Sequence, residues 1–172
     1  IGRMSIHISY TDIIAIPNLL QAWREFSLGK RHKKDVAEFS MRLSEEIAVL
    51  HEELASKAYQ HGPYAAFSLC DPKPRSIHKA LVRDRLLHHA VYRILYIFFE
   101  SRFVYDSYSC RNGRGTHKAI RRFELFARRV SKNNTRTCWV LQCDVKKFFA
   151  SIDHALLSEI VARHGLEPDT LW

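Results

Sequence analysis

No apolar run in the 172 residues approaches the ~20 that a membrane-spanning helix needs. The longest strongly apolar stretch, Ile94 to Phe99, is closed by Arg93 and Glu100. Six glycines and five prolines are too few for a collagenous or low-complexity chain. Four cysteines (Cys70, Cys110, Cys138, Cys143) follow no disulfide-framework spacing. With no secretory signal at the start, they read as reduced thiols of a cytoplasmic protein. Ten histidines form no Cys/His series with zinc spacing. Walker and dinucleotide fingerprints are missing too, so ATP or NAD binding is not supported.

What is present is apolar content and positive charge. Hydrophobic residues make up 47% of the chain, enough for one compact domain with a core. The net charge is +9, and it is concentrated. Residues 71–136 hold 16 basic against 5 acidic side chains, while 35–60 hold 2 against 6. Tyr92, Tyr96, Tyr105 and Tyr108 interleave with the basic residues. Cations mixed with aromatic rings attract a phosphate backbone; an ordinary solvated surface has the same charge. The segment is too interrupted for a membrane-surface helix, so no membrane partner is expected. The chain starts at Ile1 rather than Met and ends at Trp172, and it is read as part of something longer.

Periodicity predicts a mostly helical α+β chain. A helix starts near Pro17, carries Leu19, Leu20, Trp23 and Phe26, and stops at Gly29. After a basic link, Asp35 and Glu38 form a capping-box pattern. It opens one helix of about 24 residues through Val36, Phe39, Leu43, Ile47, Leu50 and Leu54. Tyr64–Cys70 and Arg75–Lys79 read as strands around an Asp71-Pro72-Lys73-Pro74 turn. A central helix starts at Asp84, with Arg83 and Arg85 as solvated neighbours. Thr116 caps a helix running to about Ser131, with Ala119, Ile120, Phe123, Phe126 and Val130 packed. Cys138–Val145 reads as a buried strand in which Cys138 and Cys143 pack. Ser151 or Asp153 then caps a helix with Leu156, Leu157, Ile160 and Val161 inside, closed by Gly165 and Pro168.

Four stretches carry candidate chemistry. Asp144 ends the expected strand, where a carboxylate suits Mg²⁺ or simply caps a turn. The proline-stiffened tip holds Lys73 and Arg75 outward, a pair suited to a triphosphate and equally to water. Tyr108–His117 is a glycine-bearing loop opening a helix N-terminus, a setting that attracts phosphate. Arg83-Asp84-Arg85 is the fourth.

In order, "DPKPRSIHKALVRDRLLHHAVYRILYIFFESRF", "DSYSCRNGRGTHKAI" and "VLQCDVKKFFASIDHALL" resemble the fingers and first palm segment of bacterial reverse transcriptases. That group includes retron, group II intron and diversity-generating retroelement enzymes. The likeness covers roughly residues 60–160, and residues 20–60 are similar to the helical lead-in. It implies a helical lead-in (1–60), fingers (61–136) and the start of a palm (137–172). It also implies RNA-directed DNA synthesis from an RNA template, a primer and deoxynucleoside triphosphates, with two Mg²⁺ ions and a possible small accessory protein. By resemblance, Asp144 is the first catalytic carboxylate and Val145 lends a carbonyl to the metal shell. Phe149 lies under the nucleotide sugar, and Phe148 is core. Lys73 and Arg75 grip the triphosphate. Arg111, Gly113, Arg114, Gly115, Lys118, Arg121 and Arg122 match the template-binding loop and helix.

Two departures point toward the diversity-generating branch. The hairpin tip is shortened to Lys73-Pro74-Arg75, and Ser109-Cys110-Arg111 stands where group II enzymes tend to have Gly-Phe-Arg. The Tyr-x-Asp-Asp motif is lacking, so this stretch alone is expected not to polymerise. The competing expectations are a non-catalytic RNA-binding module and an RNA-dependent RNA polymerase. Phe149 argues against the latter.

Overall fold

A computed structural model describes residues 8–171. The class is α+β: seven α-helices and a two-stranded antiparallel hairpin among the described residues. They divide into two compact units. The first contains residues up to Phe98 together with the stretch from Val161, and the second is Phe99–Ile160.

The first unit owns the core. α1 (Tyr10–Ile14) starts from a Ser9/Asp12 capping box, a signal the periodicity reading passed over. α2 (Ile16–Ser27) has proline in its first turn, as expected, and ends before Gly29 at φ +68°. The expected 24-residue helix is instead two: α3 (Lys34–Met41) and α4 (Leu43–Ala55). The break is at Arg42, whose φ −113° and ψ 21° leave the helical region. The apolar stripe survives it, because Val36, Ile47, Leu50 and Leu54 stay buried in one cluster with Leu19, Trp23, Phe26, Leu86 and Ala90. A stripe repeating every three to four residues tolerates a bend that keeps it facing the core.

The expected capping box on Asp35 does not form. The helix cap is Lys33, without a side-chain bond, and Asp35 turns to Lys79 and Arg85, each 2.7 Å from Oδ2. Lys79 foremost, aided by Arg85 and opposed by burial, holds the Asp35 carboxyl below the usual carboxylate range.

β1 (Ala65–Cys70) and β2 (Pro74–Lys79) pair from Cys70↔Pro74 to Ala65↔Lys79, leaving Asp71–Lys73 as the tip. α5 (Val82–Glu100) follows. Asp84 is not an exposed cap. It is 1% exposed and accepts hydrogen bonds from the Tyr59 hydroxyl (2.8 Å) and the Gly62 amide (3.2 Å). Nor are its neighbours merely solvated, since Arg83 pairs with Glu53 and Arg85 with Asp35. A Cβ on Gly62 would sit 2.5 Å from Leu81 Cδ1 and 3.0 Å from Asp84 Oδ2, so the backbone approaches closely only because glycine is there.

Further along α5, Arg93 donates to Glu25 (2.9 Å) and to buried Asn18 (2.7 Å), and His89 lies 3.1 Å from Glu25. Burial alone would raise the Glu25 carboxyl, but bonds from Gln21, His89 and Arg93 outweigh it and hold the group low.

α6 (Thr116–Val130) and most of α7 (His154–Arg163) belong to the second unit. Three expectations fail there. Thr116 is not the cap; Gly115, at φ +148°, precedes the helix. Ile120, Phe123, Phe126 and Val130 are exposed rather than packed, as are Leu156, Leu157 and Ile160. Cys138–Val145 is neither strand nor buried, with Trp139 at 93% and Leu141 at 88% exposure and Cys143 exposed. A strand is stabilised by its ladder partners, and among the described residues none pairs with this stretch. Asp153 does cap α7, accepting from the Leu156 amide at 3.0 Å, and Gly165 follows its end at φ +82°.

Asp84→Ala strands the Tyr59 hydroxyl and the Gly62 amide, and is expected to lower unfolding stability by about 1–3 kcal/mol. Asp84→Asn, which keeps an acceptor, should lose less. An unshifted urea midpoint for Asp84→Ala would count against the buried carboxylate as a strut. Because Glu25 and Asp35 have lowered folded-state pKa values, their contribution is complete above the ordinary carboxylate range. The urea midpoint should therefore drop as pH is lowered through their depressed values, and Glu25→Gln should blunt that drop.

Candidate nucleic-acid interface

The expected site residues fall in both units. Lys73 is exposed at the hairpin tip of the first, and Arg75 is exposed beside it at the start of β2. Asp144, Val145, Phe149 and the loop and helix cations all belong to the second.

In the second unit, Tyr105 to Gly115 is built on Arg111. Its side chain is only 5% exposed. Nε donates to both Glu100 carboxylate oxygens (3.2 and 3.0 Å), and Nη2 reaches Oε1 at 2.7 Å. Nη1 donates to the carbonyls of Val104 (3.0 Å) and Ser107 (3.1 Å), and the guanidinium lies over the Phe103 ring. Within the loop expected to contact a template, the donors of the Arg111 side chain are engaged by the loop itself. Gly113 and Gly115 have positive φ (+67° and +148°), and nothing lies within 4 Å of a Cβ built on either. Backbone conformation, not close packing, therefore calls for glycine.

The loop shapes a cleft of about 490 Å³ lined by Tyr105, Tyr108, Arg114, Lys118, Arg121, Arg122 and Leu125. Arg114 donates to the Tyr105 carbonyl (2.8 Å) and stands 4.5 Å over the Tyr105 ring. Arg122 lies 5.2 Å from the same ring and 4.3 Å from that of Phe126. Arg122 also pairs with Asp106, Nε to Oδ1 at 2.8 Å. That fork, helped by the Tyr108 hydroxyl against some desolvation, holds the Asp106 carboxyl below its usual range, and it raises Arg122 in turn. Lys118 and Arg121 are exposed with no acidic partner among the described residues. A second cleft of about 460 Å³, lined by Arg121, Arg128 and Arg129 with Glu124 among them, continues along α6. The first-turn amides of α6 receive no side-chain cap. Cations, rings and open amides on one helix are the equipment for holding a phosphate backbone.

Four of the cations expected to hold a template, Arg114, Lys118, Arg121 and Arg122, line this cleft, and Arg128 and Arg129, off the apolar stripe of α6, line the second. Asp106, bonded to Arg122, is a residue that no expected motif singles out. The Tyr105-Asp106-Ser107-Tyr108 run was the available signal, as a carboxylate set between two rings in a basic segment.

Asp144 and Val145 are exposed, and Phe149 is 85% exposed. Phe148, expected in the core, is half-exposed and meets Phe149 edge-on at 5.2 Å in a single 3₁₀ turn, Phe148–Ser151. No group of three or more His, Cys, Asp or Glu among the described residues is arranged to hold a metal ion. One carboxylate and one carbonyl do not fit a pair of Mg²⁺ ions. Among the described residues, no helix is long and apolar enough to cross a membrane.

No family model matches the chain. Over 126 residues it is 32% identical to Protein YkfC of Escherichia coli (strain K12), covering 71% of this chain and 32% of that protein. The chain thus spans about a third of the length of the curated relative it matches.

Arg111→Ala leaves the Val104 and Ser107 carbonyls and the Glu100 carboxylate without their shared donor. It should lower stability by about 1–3 kcal/mol and speed proteolysis between residues 100 and 115. Unchanged cleavage would show that the loop stands without it.

Proposed function

We propose that this chain supplies the fingers and the first palm segment of a bacterial retroelement reverse transcriptase. In this reading it grips an RNA template while DNA is built from a primer and deoxynucleoside triphosphates. The observation that carries the reading is the α6 cleft. Three sequence runs resemble that family in order, and Arg114 and Lys118 of the middle run, with Arg121 and Arg122 directly after it, line one groove with two tyrosines; Lys118 and Arg121 have no acidic partner among the described residues.

In this proposal Lys118, Arg121, Arg122 and Arg114 hold template phosphates. The loop around Gly113 and Gly115 shapes the groove, with Arg111 as its internal brace. Lys73 on the hairpin tip and Arg75 beside it meet the nucleotide triphosphate, and Phe149 sits against its sugar. Asp144, with the Val145 carbonyl, is one part of a Mg²⁺ site whose other carboxylates come from elsewhere. A palm is part of the proposal on sequence likeness only. A small accessory protein would join the assembly in the diversity-generating branch.

RNA binding by the 172-residue chain should weaken steeply between low and moderate salt. Lys118→Gln and Arg121→Gln should each flatten the log–log slope by about 0.7 for a single strand. A salt-independent affinity would remove the groove from the interface. For the catalytic half, Asp144→Ala in the polymerase that contains this chain should abolish primer extension and leave RNA affinity nearly intact. Phe149→Ala should raise ribonucleotide incorporation in mixed triphosphates. The alternative, a non-catalytic RNA-binding module, has the same salt response and is indifferent to Asp144.

A further inference from the structure

An anion of the chain's own is bonded to two residues of the α6 cleft, Arg122 and Tyr108. Asp106 is the one acidic residue between Ser101 and Phe123. Its carboxylate meets Arg122 through Nε (2.8 Å) and Nη2 (3.3 Å), the two-donor edge that a guanidinium offers to a phosphate. The Tyr108 hydroxyl donates to the same carboxylate at 3.0 Å. Of the four cations lining the cleft, Lys118 and Arg121 have no acidic partner among the described residues, Arg114 donates to the Tyr105 carbonyl, and Arg122 is already forked onto the chain's own carboxylate.

We propose that Asp106 is a resident counter-anion that single-stranded RNA must displace from Arg122, so that the groove selects for a run of phosphates over a single one. The proposal rests on the RNA-binding reading above and deepens it. Both partners are about one-third exposed, with side-chain exposures of 34% and 37%. An ion pair so wet is weak and exchangeable. A lone phosphate competes poorly with a tethered carboxylate, whose effective concentration is high. A strand that also engages Lys118 and Arg121 brings its next phosphate to Arg122 as an intramolecular step, and meets the carboxylate on equal terms. Asp106 then turns to water at little cost, because its side chain is already partly solvated.

The test is fluorescence anisotropy of the 172-residue chain with a mixed-sequence single-stranded RNA oligonucleotide across a salt series. Asp106→Asn should bind more tightly at moderate salt, by up to about fivefold, the upper end for freeing one exposed ion pair. Its log–log slope should steepen by about 0.7, one additional phosphate contact. Inorganic phosphate should compete with RNA more effectively on this variant than on the parent chain. Glu124→Gln removes the same charge from α6, where Glu124 has no ion pair with Arg122, and should give a smaller gain. In an Arg122→Gln background, Asp106→Asn should gain no more than Glu124→Gln does. If Asp106→Asn merely equals Glu124→Gln, or its gain persists without Arg122, the effect is general charge and the proposal fails. Weaker binding by Asp106→Asn also overturns it, because the carboxylate would then be orienting the arginine. Loss of RNA binding by the parent chain and every variant at the lowest salt overturns this proposal together with the RNA-binding reading. Binding by the parent chain with an unaltered Asp106→Asn overturns this proposal alone.

Discussion

The first unit depends on a carboxylate taken out of water. Asp84, 1% exposed, accepts from the Tyr59 hydroxyl and the Gly62 amide, and so ties the connection leaving α4 to the first turn of α5. On either side of it, Arg83 reaches Glu53 of α4 and Arg85 reaches Asp35 of α3. A buried carboxylate is tolerable only when its hydrogen bonds are met, so these partners must arrive together for the unit to close. Asp35 also takes Lys79 at the end of β2, which fixes the base of the hairpin whose tip carries Lys73, with Arg75 beside it. Burial and bonding to Asp84 push the Tyr59 phenol well above its ordinary value, as expected for a hydroxyl committed as a donor to an anion.

The second unit is organised differently. Among its described residues Ser131 is buried, while the apolar side chains of α6, Cys138–Val145 and α7 stay accessible. Its order comes from polar and cation–π contacts. The Arg111 guanidinium holds the loop to Glu100, and Tyr105 is flanked by Arg114 and Arg122. Such contacts fix the spacing of cations without hiding them. A surface that must release and rebind a polyanion needs that property, whereas a hydrophobic core would bury the same groups.

Much of the first unit could be read from residue order. The stripe Val36, Phe39, Leu43, Ile47, Leu50 and Leu54 repeats at helical spacing and is the buried face, even across the Arg42 break. The Asp71–Pro74 stretch marked the hairpin turn because proline and aspartate restrict local backbone angles. Local signals misled where a side chain had a distant partner. Asp35 and Asp84 both look like helix caps in sequence, and both are instead held by residues on other elements, up to 50 positions away. In the candidate site, Arg114, Lys118, Arg121 and Arg122 share one cleft because they are close in sequence on one loop and helix. Arg111 lies on the same loop, yet its donors turn inward.

Residue order by itself determined most of the helices, the hairpin, the α+β class and the basic middle segment, because each depends on periodicity, turn chemistry or composition within a few residues. Only the tertiary structure decided which charges are available. Arg111 and Arg121 are ten positions apart and chemically identical, yet one is 5% exposed and fully bonded while the other faces a cleft. A guanidinium's freedom depends on whether a carboxylate or carbonyl folds back within about 3 Å of it, and that proximity is a property of the folded chain.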